Sequence, residues 1–423
     1  MQKIRQFPAI CTLAIACAIG PAPAAAANWV TSWMASPQPV WHSGFVLPLN
    51  VPRTLDGVSI REVVQLSSGG ETVRLVFSNR YGSAPLVIGE VRVALALRET
   101  QTVGGSDRAV TFGGQRSVTI APGANGISDP LRMAAQPLAR LAISSYFPQP
   151  TSVSSFHWGD QQTAYAMKGN ATGASTLPKA DRVKGRLFLN AVLVDAAAGA
   201  CTVVALGDST TDGNGSTPDR NRRWPDYLAQ RLAGAGVAVA NAGISGARLL
   251  GDMMGVNALA RFEHDVLAQP GVCTVVVYIG INDIGWPGGP FAPSAAPVDA
   301  AQMIAGYRQL IAAARVRGVR IVGATMTPFA GALKGTPLEG HYSPAKDAVR
   351  RQVNDWIRGS GEFDGVADFD KVLRDPRDPA RLLAAYDSGD HLHPGDAGYA
   401  AIAQSLDDAT LFGTTRRAGT ERP

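Results

Sequence analysis

Four separated stretches of the chain carry residue types that together can perform acyl transfer. They are Gly207-Asp208-Ser209, Asn241-Ala242-Gly243-Ile244-Ser245-Gly246, Gly280-Ile281-Asn282-Asp283 and Asp390-His391-Leu392-His393. Such a reaction needs a nucleophile, a base to take its proton, an acid to orient the base, and donors for the oxyanion. Ser209 offers the hydroxyl, and the last stretch offers a carboxylate beside imidazoles. Imidazole is half neutral near pH ~6.5, so it can accept a serine proton at physiological pH. No stretch is decisive alone, since a Gly-Asp-Ser turn also occurs as an ordinary loop. The competing chemistry is a metal pair from His391 and His393, but the carboxylate–histidine helix pattern of such sites is missing.

These residues need elements to bring them together. Val203-Val204-Ala205-Leu206 reads as a strand buried on both faces, as in a parallel sheet covered by helices. A strand from Val237 precedes the second stretch, and Cys273 to Ile279 precedes the third. Ser209, Gly246 and Asn282 therefore sit on strand-exit loops of one sheet edge, where open α/β sheets bind ligands. Further strands are expected at Val319 to Met326 and Val366 to Phe369. Helices are expected at Trp224 to Leu232, Met254 to Leu267, Ala300 to Arg317, Ser343 to Arg358 and Ala397 to Leu406. This alternation predicts an α/β domain of three layers with a five-stranded parallel sheet.

Upstream the pattern changes to period two. Val73, Leu75 and Phe77 share one face, as do Val91, Val93 and Leu95. Further strands are expected at Val58 to Leu66, Ala139 to Phe147, Val153 to Trp158 and Leu187 to Val194, separated by Gly, Pro, Asn and Ser clusters. Many short strands without a helical period predict an all-β sandwich, jelly-roll-like. The expected division is a signal peptide at 1–27, a β-sandwich at 28–197, an α/β domain at 198–412 and a polar tail at 413–423. The joint at Ala196 to Ala200 is short and apolar, unlike a flexible spacer, so the sandwich is expected to dock on its neighbour.

The first 27 residues hold Lys3 and Arg5, a short apolar run, and an Ala-rich end, which reads as a secretory signal peptide too short to span a bilayer. Cys17 also admits a lipoprotein reading, for which the preceding residues match poorly. Cleavage lowers the formal net charge of +5 by two. The remaining charge is small and dispersed, which argues against a nucleic-acid partner. Hydrophobic residues make up 46% of the chain, enough for large cores without any stretch suited to stable membrane insertion. The expected location is secreted or periplasmic, and the sequence leaves the oligomeric state open.

The four ordered stretches resemble the SGNH/GDSL hydrolase superfamily over about residues 200 to 410. The resemblance implies a flavodoxin-like fold, with Ser209 as nucleophile and its own N–H in the oxyanion hole. It implies an N–H from Gly246 and the side-chain amide of Asn282 as further oxyanion donors, with Asp390 and His393 completing the triad. No metal or cofactor is implied. Asp387-Ser388-Gly389-Asp390 and Asn354-Asp355-Trp356-Ile357-Arg358 resemble two-domain secreted bacterial members. In the implied strand order, Cys201 and Cys273 open neighbouring strands, so a disulfide between them is expected, with two buried free thiols as the alternative. Asp208 and Asp283 are expected to bond loop amides. Asp212 and Arg248 are expected near the mouth, as substrate contacts or surface ion pairs, and Trp286 as a pocket wall or a loop anchor. The expected activity is serine esterase action on small acyl esters, with acetyl groups on a carbohydrate as one substrate. A lipase or lysophospholipase is the alternative, and a carbohydrate-binding protein with a vestigial hydrolase domain is the third.

Overall fold

The computed structural model describes residues 27–413, so the expected signal peptide (but for its last residue) and the tail from Thr414 lie outside the described residues. The parallel sheet comprises five strands, numbered here within it: β1 (Cys201–Gly207), β2 (Val237–Gly243), β3 (Val272–Tyr278), β4 (Arg320–Ala324) and β5 (Gly365–Ala367). Their order is β2-β1-β3-β4-β5, the flavodoxin-like arrangement, whose switch point lies between β1 and β3. Gly207 pairs with Gly243 on one side and Tyr278 on the other, so three strand ends finish at one level. The strands are mostly apolar because both faces are covered. Helices Ala300–Val316 and Pro344–Gly359 contribute to one core, while Trp224–Leu232 and Asp396–Ser405 contribute to the other.

The expected helix over Met254 to Leu267 is shorter than predicted. Residues 254–257 are loop, Asn257 caps a turn at Ala258–Phe262, and a wider turn follows at Glu263–Leu267. The Met254 carbonyl is held from outside the helix by Gln38 Nε2 (2.6 Å) and Trp41 Nε1 (2.7 Å), which fixes a loop conformation there. A final turn at Asp408–Phe412, not expected from the pattern, covers the base of β3, where Thr274 Oγ1 donates to the Leu411 carbonyl.

The upstream region is mainly antiparallel, in two large sheets. One runs Trp29–Met34, Leu189–Asp195, Gly70–Ser78 and Asn125–Ile127; the other centres on Ser155–Lys168, Val58–Gln65 and Arg140–Phe147. The expected short strand Val153 to Trp158 is instead the start of Ser155–Lys168. Its pairing with Asp181–Leu187 breaks between Trp158 and Thr163, where Gly159 and Gln161 take positive φ. Within this bulge Asp160 is buried and pairs with Arg186 on the neighbouring strand and with Arg223 at the start of helix Trp224–Leu232, as bulges re-aim side chains.

The two regions share buried surface. Met34, Val76, Ala191 and Leu193 pack in one core with Val204, Leu206 and Ala240. Thr31 N–H donates to Thr202 Oγ1 at 3.0 Å, and Val239 N–H on the outer edge of β2 donates to Ser67 Oγ at 2.8 Å. The edge strand thus has its backbone partly satisfied by the antiparallel region.

Cys201 and Cys273 are joined in a disulfide, with Cα atoms 5.8 Å apart. The bridge lies at the amino ends of β1 and β3, opposite the ends that lead into Ser209 and Asn282, and spans 72 residues. Closing such a loop contributes on the order of 4 kcal/mol in the chain-entropy model. Mild reduction should therefore lower the melting temperature by several degrees while leaving kcat at moderate temperature unchanged. Activity loss at a temperature where the reduced protein remains folded would contradict this separation.

Candidate active site

Beyond β1 the chain turns at once into the short helix Ser209–Asp212. Asp208 caps it, accepting from Thr210 N–H at 3.1 Å. The turn needs room: a Cβ on Gly243 would come within 2.3 Å of the Asp212 nitrogen. Buried Arg261 ties the ends of two strands together, donating to the carbonyls of Ala242 (2.7 Å) and Gly207 (2.9 Å).

Ser209 Oγ lies 2.7 Å from His393 Nε2, and His393 Nδ1 lies 2.6 Å from Asp390 Oδ2. Asp390 Oδ1 accepts the backbone N–H groups of His393 (2.8 Å) and Leu392 (2.9 Å). Burial works against the Asp390 charge, but the bonds from the His393 ring and these two amides outweigh it and hold the carboxyl well below the usual carboxylate range. His391 is turned aside onto Asp387, with its Nδ1 2.5 Å from Oδ2. The two imidazoles therefore have separate carboxylate partners.

Asn282 stands at the start of the turn after β3, buried, with one amide hydrogen donated to the Ala247 carbonyl at 3.0 Å; among the described residues no acceptor takes the other. Among the described residues, no acceptor takes the N–H of Ser209 or Gly246. Gly246 has φ +70, and a Cβ there would meet Met254 Sδ at 2.1 Å, so the position requires glycine. Its carbonyl accepts Trp286 Nε1 at 3.3 Å.

Two expectations change here, and a third, for Trp286, narrows to one of its two readings. Asp212 is not at the mouth: it is 1% exposed, with Oδ1 2.9 Å from His157 Nε2 and Oδ2 accepting Ser245 N–H (3.1 Å) and Oγ (2.5 Å). The helical turn points its carboxylate inward, toward the antiparallel region. Arg248 donates to the carbonyls of Gly251 and Asp252 and so braces its own loop rather than forming an ion pair. Trp286 is 5% exposed and packs edge-on against Phe291 and His341, which fits the anchor and not the pocket wall.

Asp208 and Asp283 bond loop amides as expected, the latter accepting Leu249 N–H (2.7 Å) and Leu250 N–H (2.9 Å). Burial lifts Asp208 to about 7, against the pull of the Thr210 amide and His393. An unfolded aspartate titrates near ~3.9, so the folded protein holds this proton longer. The stability from that proton is complete below about pH 4 and drains as pH rises through about 7. Asp208→Asn keeps an acceptor for Thr210 and removes the loss. Its melting temperature should gain on the parent more at about pH 8 than at about pH 4.5; an equal difference at both would refute this origin.

Sequence reasoning missed His157, Gln38, Trp41 and His341. His341 is buried with both ring nitrogens unpartnered, and burial, followed by Lys346 and His393, pushes it down to about 3. None of the four lies in a recognisable pattern, and the bonds of His157, Gln38 and Trp41 all cross a long sequence separation.

Residues 205–401 match the model of the GDSL-like Lipase/Acylhydrolase family. No curated protein matches. Solved structures with a similar fold include a GDSL-like lipase from Bacteroides thetaiotaomicron, 16% identical, covering 49% of this chain and 87% of that one, with TM-score 0.36. An acetylxylan esterase from Geobacillus stearothermophilus, studied as a catalytic mutant, is 22% identical and covers 48% of this chain and 91% of its own, with TM-score 0.35.

Proposed function

Given that the chain belongs, through residues 205–401, to the GDSL-like lipase/acylhydrolase family and is a carboxylic ester hydrolase, we propose that it is an exported serine esterase acting on small acyl esters, acetyl esters of carbohydrates among them. The observation that carries this reading is the continuous chain Ser209 Oγ–His393 Nε2–Asp390, at 2.7 and 2.6 Å, beside unspent oxyanion donors.

In this mechanism His393 takes the Ser209 proton as Oγ attacks the acyl carbon, and Asp390 fixes the ring tautomer and balances the imidazolium. The N–H groups of Ser209 and Gly246 and the Asn282 amide receive the oxyanion. His393 then protonates the departing alcohol, and water repeats the sequence on the acyl-enzyme.

Support for a hydroxyl-rich substrate comes from a groove of ≈ 390 Å³ lined by Asn50, Trp158, Gln161, Arg182, Lys184 and Asp219. A half-buried tryptophan among polar side chains suits a sugar. Gly215, also in this wall, abuts the Pro394 carbonyl next to His393. Export is supported by the basic, apolar, Ala-rich start, and the disulfide suits an oxidising compartment.

Rates on aryl esters of increasing chain length test the acyl preference. They should peak at acetate and fall beyond about four carbons; a rise toward long chains favours a lipase. Trp158→Ala should slow acetate release from an O-acetylated polysaccharide far more than from an aryl acetate. Equal effects would reject the carbohydrate assignment, and no turnover on any ester would favour the binding protein.

A further inference from the structure

The antiparallel region reaches the oxyanion loop by two routes. His157, on the bulged strand, is 3% exposed and sits between two acceptors: the Ser36 carbonyl at 2.8 Å from Nδ1 and Asp212 Oδ1 at 2.9 Å from Nε2. A ring whose two nitrogens both face acceptors is satisfied only when both carry hydrogen. The other Asp212 oxygen holds Ser245 by its N–H and its hydroxyl, one residue before Gly246. On the opposite side, Gln38 and Trp41 hold the Met254 carbonyl, and the Met254 thioether packs against Gly246.

The charges facing His157 suit a cation. Asp212 comes from the nucleophile helix and Asp160 from the bulge, and Asp160 is itself held by Arg186 and Arg223. Burial alone would strip the His157 proton, but Asp212 and then Asp160 keep it bound, so the ring titrates above its ordinary value. His157, Asp160 and Asp212 have the spacing of a metal site. Both Asp160 oxygens, however, already accept from guanidiniums, so Asp160 is engaged by Arg186 and Arg223 in place of a metal.

We propose that His157 is a positioning residue supplied by the antiparallel region: its imidazolium holds Asp212, and through Asp212 and Ser245 it keeps the Gly246 N–H aimed at the oxyanion. The inference rests on the acyl-transfer reading of Ser209 and Gly246. It makes the antiparallel region part of the catalytic apparatus in addition to any part in substrate binding. Asp212 stands three residues after Ser209, so one carboxylate links the nucleophile helix to the oxyanion loop.

The test compares kcat and KM on an aryl acetate for the parent, His157→Leu, His157→Gln and Ser245→Ala, each checked for a native circular-dichroism spectrum. Losing a whole oxyanion donor typically costs about 10²–10³-fold, so displacing one should lower kcat roughly 10- to 100-fold for His157→Leu, with KM within about threefold. Gln keeps a donor to Asp212 and should recover most of that loss. Ser245→Ala removes the hydroxyl that reaches Asp212 and Asn214 but keeps the N–H bond to Asp212; it should lower kcat about tenfold, which keeps the test decisive if the Leu variant does not fold. In the parent, kcat should also fall on the alkaline side as His157 loses its proton, a limb absent from His157→Gln.

Unchanged kcat in folded His157→Leu or in Ser245→Ala would overturn the proposal, as would identical alkaline limbs in parent and Gln variant. A fluorophosphonate probe separates the failures. If the parent is labelled at Ser209 while the variants keep parental kcat, only this inference falls; an unlabelled parent overturns the acyl-transfer reading with it.

Discussion

Ser209→Ala is expected to reduce ester hydrolysis by about 10⁶-fold, to the level supported by binding and oxyanion contacts alone. The hydroxyl lies 2.7 Å from His393 Nε2, placed to lose its proton and become the acyl-bearing nucleophile. Its removal leaves the donors of the turn in place. Alanine also suits the first position of the short helix, and the cap from Asp208 to Thr210 is untouched. The melting temperature should therefore stay within a few degrees of the parent. Kinetics on an aryl acetate with freshly purified variant checks both halves. Residual turnover within about a hundredfold of the parent would reject Ser209 as nucleophile.

The second large effect is expected from Asp390→Asn, about 10⁴-fold in kcat with KM little changed. The reason lies in which oxygen does what. Oδ1 is fixed as an acceptor by the backbone N–H groups of Leu392 and His393, at 2.9 and 2.8 Å. An asparagine must keep its oxygen there, so its NH₂ replaces Oδ2 and faces His393 Nδ1, now 2.6 Å from that atom. The ring must then accept at Nδ1 and carry its hydrogen on Nε2. In that tautomer it cannot take the Ser209 proton. A kcat within about tenfold of the parent would show that the tautomer is set by something other than Asp390.

The α/β half was legible because its signals are local. Three apolar strands ending in Gly-containing turns announce a buried parallel sheet, and the in-register ends of β1, β2 and β3 follow from that sheet. The pairing of Cys201 with Cys273 follows from the same register. The bulge at residues 159–162 was not legible, since a period-two strand is written alike with or without an extra residue. Asp212 was misplaced for a related reason. An aspartate after the Gly-Asp-Ser turn looks solvent-facing until a second region of the chain, 55 residues away at His157, is packed onto it. Loop Met254 to Asn257 holds Gly255 and the cap Asn257, a local signal against helix that periodicity alone misses, and the donors that hold it open, Gln38 and Trp41, lie more than 200 positions upstream. Interactions of that range leave no trace in local periodicity.

The most direct measurement of the central claim is active-site labelling with a fluorophosphonate, followed by peptide mapping. A serine activated by His393 and faced by oxyanion donors should take one phosphonyl group, on the peptide containing Ser209, with activity lost in step with incorporation. Labelling should vanish in Ser209→Ala and in denatured protein. Folded, ester-hydrolysing protein that carries no adduct on Ser209, or carries it on another residue, would contradict the account.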